Sequence, residues 1–138
     1  MDKLSKNIIK VLQDNSRSTY AEIGRKVGLS APAVAERIQK LEDSGIIDGY
    51  SLKLNKKNLG LHVEAIIYLD VLFLNFKKLI DDLSDIPEIQ ECLKVTGKHS
   101  IILKVAVEDN EALERVIDKV SLYGQPQTSL ILSSYTNP

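Results

Sequence analysis

Ser30, Ala33, Arg37 and Lys40 recur at spacings of three and four residues, so on a helix they share one face. Arg37 and Lys40 could reach a phosphate or a base edge. Ser30, placed where a helix would begin, could hold a phosphate together with the amides of the first turn. A plain solvated helix face is the competing reading of the same charges. Arg17, Arg25, Lys26, Lys53, Lys56 and Lys57 could widen the positive surface. The turn deepest in a major groove would be Ser30-Ala31-Pro32-Ala33. Apart from the Ser30 hydroxyl, it offers only methyl and methylene groups, which suit thymine methyls and serve bidentate readout poorly. This turn implies modest base specificity with a large share from phosphate contacts and duplex shape.

Other chemistry finds no motif. The chain has no GxSxG elbow, phosphate loop, HExxH or paired-cysteine spacing, and no catalytic residue is assigned. His62 and His99 lie in separate segments, so no metal site is expected, and Cys92 falls in a strand pattern as an inert thiol. Net charge is −1, but residues 1–60 carry 11 Lys+Arg against 7 Asp+Glu, whereas residues 61–138 carry 7 against 12. The basic half is the one that bears the Arg37 face, which points to an anionic partner for that half. At 138 residues with 43% hydrophobic and 27% charged residues, the chain can bury one ordinary core or two small ones. No apolar run spans a bilayer, and the opening MDKLSKNIIK lacks a signal-peptide core, so a cytoplasmic protein with no membrane partner is expected.

Three helical patterns must position the basic face. Leu4, Ile8, Val11 and Leu12 form the first stripe, with Ser5 as its cap. Thr19 and Glu22 have capping-box spacing at the start of the second, which buries Ile23 and Val27 and stops at Gly28. Ser30 caps the third, Pro32 sits in its first turn, Val34, Ile38 and Leu41 face inward, and Gly45 ends it. A short turn between the last two makes a helix-turn-helix, with Gly24 at the close crossing. Ile46–Leu52, turning at Asp48-Gly49, reads as a wing.

After a polar link the period changes from helix to strand. Val63, Ala65, Ile67, Leu69 and Val71 alternate, and Phe76, Leu79, Ile80 and Leu83 form a helix face capped by Asn75 and broken by Pro87. Ile89–Thr96 and Ser100–Val107 read as strands joined at Gly97-Lys98-His99. Asp109 caps a helix burying Leu113, Val116, Ile117 and Val120, and Thr128–Tyr135 reads as the last strand. The fold class is therefore α+β, an N-terminal winged helix-turn-helix followed by a ferredoxin-like βαββαβ domain. The expected domains are residues 1–52 and 63–138, joined by a linker at 53–62. Ile66, Tyr68, Leu72, Ile102 and Ala106 make the second sheet face apolar, which predicts a homodimer through this domain.

This organisation resembles the Lrp/AsnC family of prokaryotic transcription regulators over nearly the whole chain. The resemblance rests on Ile8–Gln13, Glu22–Ser30, Arg37–Glu42 with Gly45–Tyr50, and Val95-Thr96-Gly97. It implies a DNA-binding regulator or nucleoid-associated protein, whose dimers join through the C-terminal sheets and build tetramers or octamers on double-stranded DNA. Ser30, Ala31, Ala33, Arg37, Lys40, Arg17, Arg25, Lys26 and Lys53 would be its DNA-facing residues. It also implies an amino-acid effector near the hairpin, with Thr96, Gly97, His99 and Ser100 as the candidate pocket and no other cofactor. The family typically carries an aspartate three residues after this glycine. Ser100 stands there instead, which removes the natural partner of an effector's ammonium group and counts against amino-acid sensing. Two rivals share the architecture: an enzyme decarboxylating sirohaem-type tetrapyrroles, and a winged helix that binds a protein partner. The first would need basic and histidine residues in a C-terminal half that is acidic.

Overall fold

The computed structural model describes residues 1–137; Pro138, the last residue of the second expected domain, lies outside them. The chain forms two compact units, one built on Met1–Lys53 and one on Leu54–Tyr135.

The first unit holds three helices, α1 (Lys3–Asp14), α2 (Tyr20–Val27) and α3 (Ala31–Asp43). Ile8, Ile23, Val34 and Ile38 form its buried cluster, with Val11, Leu12, Val27 and Leu29 packed against them. These are the stripes that the helical periodicity predicted. The cap of α1 differs from the expectation. Asp2, not Ser5, is the N-cap, and its carboxylate accepts the Ser5 N–H at 2.8 Å. α2 opens with a reciprocal capping box. Glu22 N–H donates to Thr19 Oγ1 (3.1 Å), and Thr19 N–H donates to Glu22 Oε2 (3.0 Å). α3 closes with Gly45 at φ +71°, where Ile46 N–H reaches Leu41 O and Gly45 N–H reaches Glu42 O.

The wing is not a β-hairpin here. Ile46–Leu52 forms no ladder, because Ile46 and Ile47 both spend their amides on Leu41 O, finishing the helix rather than opening a strand. Tyr50 instead anchors the segment by donating its hydroxyl to Glu42 Oε1 at 2.9 Å.

The second unit runs through a short 3-10 turn (Lys57–Leu59), β1 (Val63–Val71), α4 (Phe73–Asp82), β2 (Ile89–Lys94), β3 (Ile101–Val107), α5 (Asn110–Val120) and β4 (Gly124–Leu130). All pairings are antiparallel in the order β2-β3-β1-β4, the ferredoxin-like arrangement. Ala65, Ile67 and Leu69 of β1 and Ile101, Leu103 and Val105 of β3 are fully buried with Leu79 of α4 and Val116 and Val120 of α5.

Several boundaries depart from the periodicity. Helix α4 starts directly after β1 with Leu72 as N-cap and no side-chain cap, so Leu72 does not lie on the second sheet face. Asn75 lies inside the helix and donates to Tyr123 O at 3.4 Å. Ile80 is exposed rather than inward. The last strand is Gly124–Leu130, several residues before the apolar run that suggested it. It is an edge strand of mostly polar residues, where Pro126 is tolerated because an edge has one unpaired side. Among the described residues, no helix is long and apolar enough to cross a membrane, and no group of three or more His, Cys, Asp or Glu could hold a metal ion.

Candidate nucleic-acid interface

The turn between α2 and α3 is tight because one carbonyl serves two amides. Gly28 N–H (2.8 Å) and Leu29 N–H (3.0 Å) both donate to Gly24 O, with Gly28 in the left-handed region at φ +76°. A Cβ on Gly24 would stand 2.3 Å from Leu29 O. Gly24 is thus required by the turn's own backbone, rather than by the facing helix as the sequence suggested.

Beyond this turn, Ser30 caps α3, its Oγ accepting the Ala33 N–H at 3.3 Å. The hydroxyl hydrogen is left for an acceptor outside the chain. Pro32 has no N–H, and the Ala31 N–H meets no acceptor among the described residues. The first turn of α3 therefore presents one hydroxyl, one amide and the methyls of Ala31 and Ala33 at the positive end of a thirteen-residue helix. Lys40 is exposed and pairs only with Glu36 at 3.0 Å, one turn back. That exposed pair is weak enough for a phosphate to replace, although it holds the Glu36 carboxyl below the usual range. Arg25 and Lys26 lie exposed in the last turn of α2, and Arg17 and Lys53 line one groove with Ile46–Leu52.

Arg37 is placed differently from the sequence reading. Only 30% of its side chain is exposed, and its Nη1 donates to Asp2 Oδ2 at 2.6 Å and to Ser5 Oγ at 3.2 Å. Asp2 was not among the predicted functional residues. An acidic residue two positions before Leu4, where the first apolar stripe begins, was the signal available for it. Lys56 is also engaged, with Glu64 at 2.8 Å, so it does not extend a free basic surface.

In the second unit, Gly97 takes φ +105° in a loop closed by Val95 N–H donating to Ser100 O at 2.9 Å. Thr96 and Gly97 are exposed, and His99 and Ser100 are half-buried. The Ser100 hydroxyl is spent inside the chain, accepting from Val71 N–H (2.8 Å) and donating to Leu69 O (3.2 Å). A carboxylate in the same place could not make that donation. His99 packs on Tyr68 with ring centroids 5.1 Å apart, and its Nδ1 lies 3.5 Å from Asp70 Oδ1. Asp70, a second residue the sequence reading did not select, is the carboxylate nearest that imidazole. Cys92 packs partly buried against the sheet core, and burial pushes its thiol pKa up, as suits an unreactive cysteine.

Comparison with known proteins places both units. Residues 1–48 match the winged helix-turn-helix DNA-binding model, and residues 65–137 match the Lrp/AsnC ligand binding domain. The chain belongs to the Lrp/AsnC family of transcription regulators. It is 37% identical over 133 residues to the HTH-type transcriptional regulator LrpC of Bacillus subtilis, covering 96% of this chain and 92% of that one. The solved LrpC structure superposes with a TM-score of 0.94 at 36% identity, over 100% of this chain and 99% of LrpC. The Neisseria meningitidis regulator NMB0573, solved in complex with L-methionine, gives 0.93 at 25% identity, covering 99% and 93%. The Mycobacterium tuberculosis feast or famine regulatory protein Rv3291c, also complexed with L-methionine, gives 0.90 at 26%, covering 99% and 95%. As a member of this family the protein is a DNA-binding transcriptional regulator. Nothing in these likenesses supports the tetrapyrrole decarboxylase reading.

Proposed function

We propose that α3 docks in the major groove with Ser30, Ala31 and Ala33 deepest and Lys40 on the phosphate backbone. Arg17, Arg25, Lys26 and Lys53 are the flanking backbone contacts. The observation that carries this reading is the first turn of α3, where a free hydroxyl, a free amide and a pair of methyls project from a helix N-terminus. Such a turn holds phosphate well and reads bases poorly, so specificity is modest and much of the affinity comes from linking several modules. We further propose that copies join through the second sheet face, where Ile66, Tyr68, Leu93 and Ile102 lie without cover from α4 or α5, and that dimers assemble further into tetramers or octamers. Residues 1–52 are the DNA-binding domain, 53–62 the linker and 63–138 the assembly domain of a cytoplasmic, nucleoid-bound regulator.

The effector site is the hairpin at Thr96, Gly97 and His99. The L-methionine complexes of two relatives favour an amino acid as the effector's chemical class, while the internally bonded Ser100 hydroxyl disfavours an ammonium contact at position 100. Binding-site selection on random duplexes tests the specificity claim. A short, degenerate motif is expected; a long, sharply defined motif would sink it.

A further inference from the structure

We propose that Arg37 is a positioning residue, which ties the DNA-docking helix to the N-terminus of α1 through Asp2 instead of touching DNA. The proposal rests on the reading of α3 as the docking helix and assigns one of its basic residues a different task.

Asp2 uses its two carboxylate oxygens separately. Oδ1 accepts the Ser5 N–H that starts α1, and Oδ2 accepts the Arg37 guanidinium at 2.6 Å. The same Nη1 also donates to Ser5 Oγ at 3.2 Å, so both its hydrogens are taken by the first turn of α1. Helical geometry explains why Arg37 can do this. It stands about 40° around the helix from Leu41 and about 60° from Lys40, on the border between the buried seam and the exposed face. A guanidinium on that border reaches a neighbouring helix, whereas Lys40 reaches solvent. Without this link, α3 is held by the packing of Val34, Ile38 and Leu41 and by the Gly24–Leu29 turn at its start, and a helix seated on a few aliphatic side chains can rock about that seam. The Ser5 amide first, and then Arg37, hold the Asp2 carboxyl well below the usual carboxylate range, so the link stays charged at neutral pH.

Asp2→Asn separates the alternatives by sign. Asparagine caps a helix about as well as aspartate, so the variant keeps α1 while neutralising the clamp. Removing a negative charge beside the docking helix would tighten DNA binding if simple electrostatics ruled. The positioning role predicts weaker binding instead, by about fivefold for a partly exposed ion pair. Fluorescence anisotropy of a generic duplex with the full chain, at several salt concentrations, reads both quantities, and circular dichroism confirms that each variant is folded. Arg37→Met, which keeps the aliphatic stem, is expected to weaken binding by a similar factor and leave the slope of log K against log salt unchanged. Lys40→Ala is expected to lower that slope by about 0.9. The double variant Asp2→Asn with Arg37→Met is expected to be no weaker than Arg37→Met alone. Unchanged or tighter binding by Asp2→Asn, or a slope reduced by Arg37→Met as it is by Lys40→Ala, would overturn the proposal and leave the docking helix standing. Absence of binding by the unaltered protein would overturn both.

Discussion

The helical unit and the sheet unit are stabilised in different ways. The helical unit buries five apolar side chains, Ile8, Ile23, Val34, Ile38 and Leu41, and relies on caps, a glycine turn and the Asp2–Arg37 link to fix its helices. The sheet unit buries fourteen, most of them layered between one sheet face and two helices. With so small a core, each local device in the helical unit carries a larger share of its stability. The lesson is one of division: the helix-turn-helix unit is held by short-range, polar features, and the sheet unit, through which we propose copies assemble, is held by area. A docking surface needs exposed cations and an open helix end, and both limit how much of a small domain can be apolar.

Equal deletions in the two cores should sharpen this contrast. Ile23→Ala and Leu103→Ala each remove a fully buried aliphatic side chain, at a cost of about 3–4 kcal/mol. Hydrogen exchange should rise throughout residues 3–43 in the first, and only partially across the sheet in the second. Equal protection losses would break the comparison. Gly24→Ala comes next, at about 2–3 kcal/mol, because the added Cβ would meet Leu29 O at 2.3 Å and the turn must open. Chemical denaturation checks the cost. DNA affinity should fall with it, since the same turn sets the angle of α3.

The smallest effect concerns a buried polar link of the sheet unit. Tyr123 is buried, and its hydroxyl donates to Asp82 Oδ2 at 2.6 Å, joining the end of α5 to α4. Tyr123→Phe should cost about 1–2 kcal/mol by denaturation. The Asp82 carboxylate first, then burial, pushes the phenol up to about 12. It therefore stays protonated in the folded chain where it would ionise in the unfolded one. Its contribution is complete below about pH 10 and fades as pH rises towards that folded value. Spectrophotometric titration should show Tyr123 ionising last of the five tyrosines, after Tyr50, which burial and Glu42 also raise, and that last step should vanish in Tyr123→Phe.

Most of this architecture was legible in the residues, for identifiable reasons. Capping chemistry at Thr19, Glu22, Ser30 and Asp109 is local, so it survives intact from sequence to structure. Alternation marked β1 because one face is buried without exception at Ala65, Ile67 and Leu69. Edge elements were misread for the converse reason. β4 needs no apolar alternation at a solvent-facing edge, and the wing's apolar residues signal strand without supplying a partner strand. The hydrogen-bond partners of Arg37 and Ser100 were hidden because each lies far along the chain, Asp2 in one case and Leu69 with Val71 in the other. Spacing can place a side chain on a face, but not tell which distant group takes its hydrogen bonds.

The central claim is that the helical unit binds duplex DNA through α3. Its most direct test is the salt dependence of binding by the full chain to a generic duplex, unaltered and with Lys40→Ala. A steep fall of log K with log salt, made shallower by about 0.9 in Lys40→Ala, is the predicted result. Salt-insensitive binding, or a slope that Lys40→Ala leaves unchanged, would contradict it.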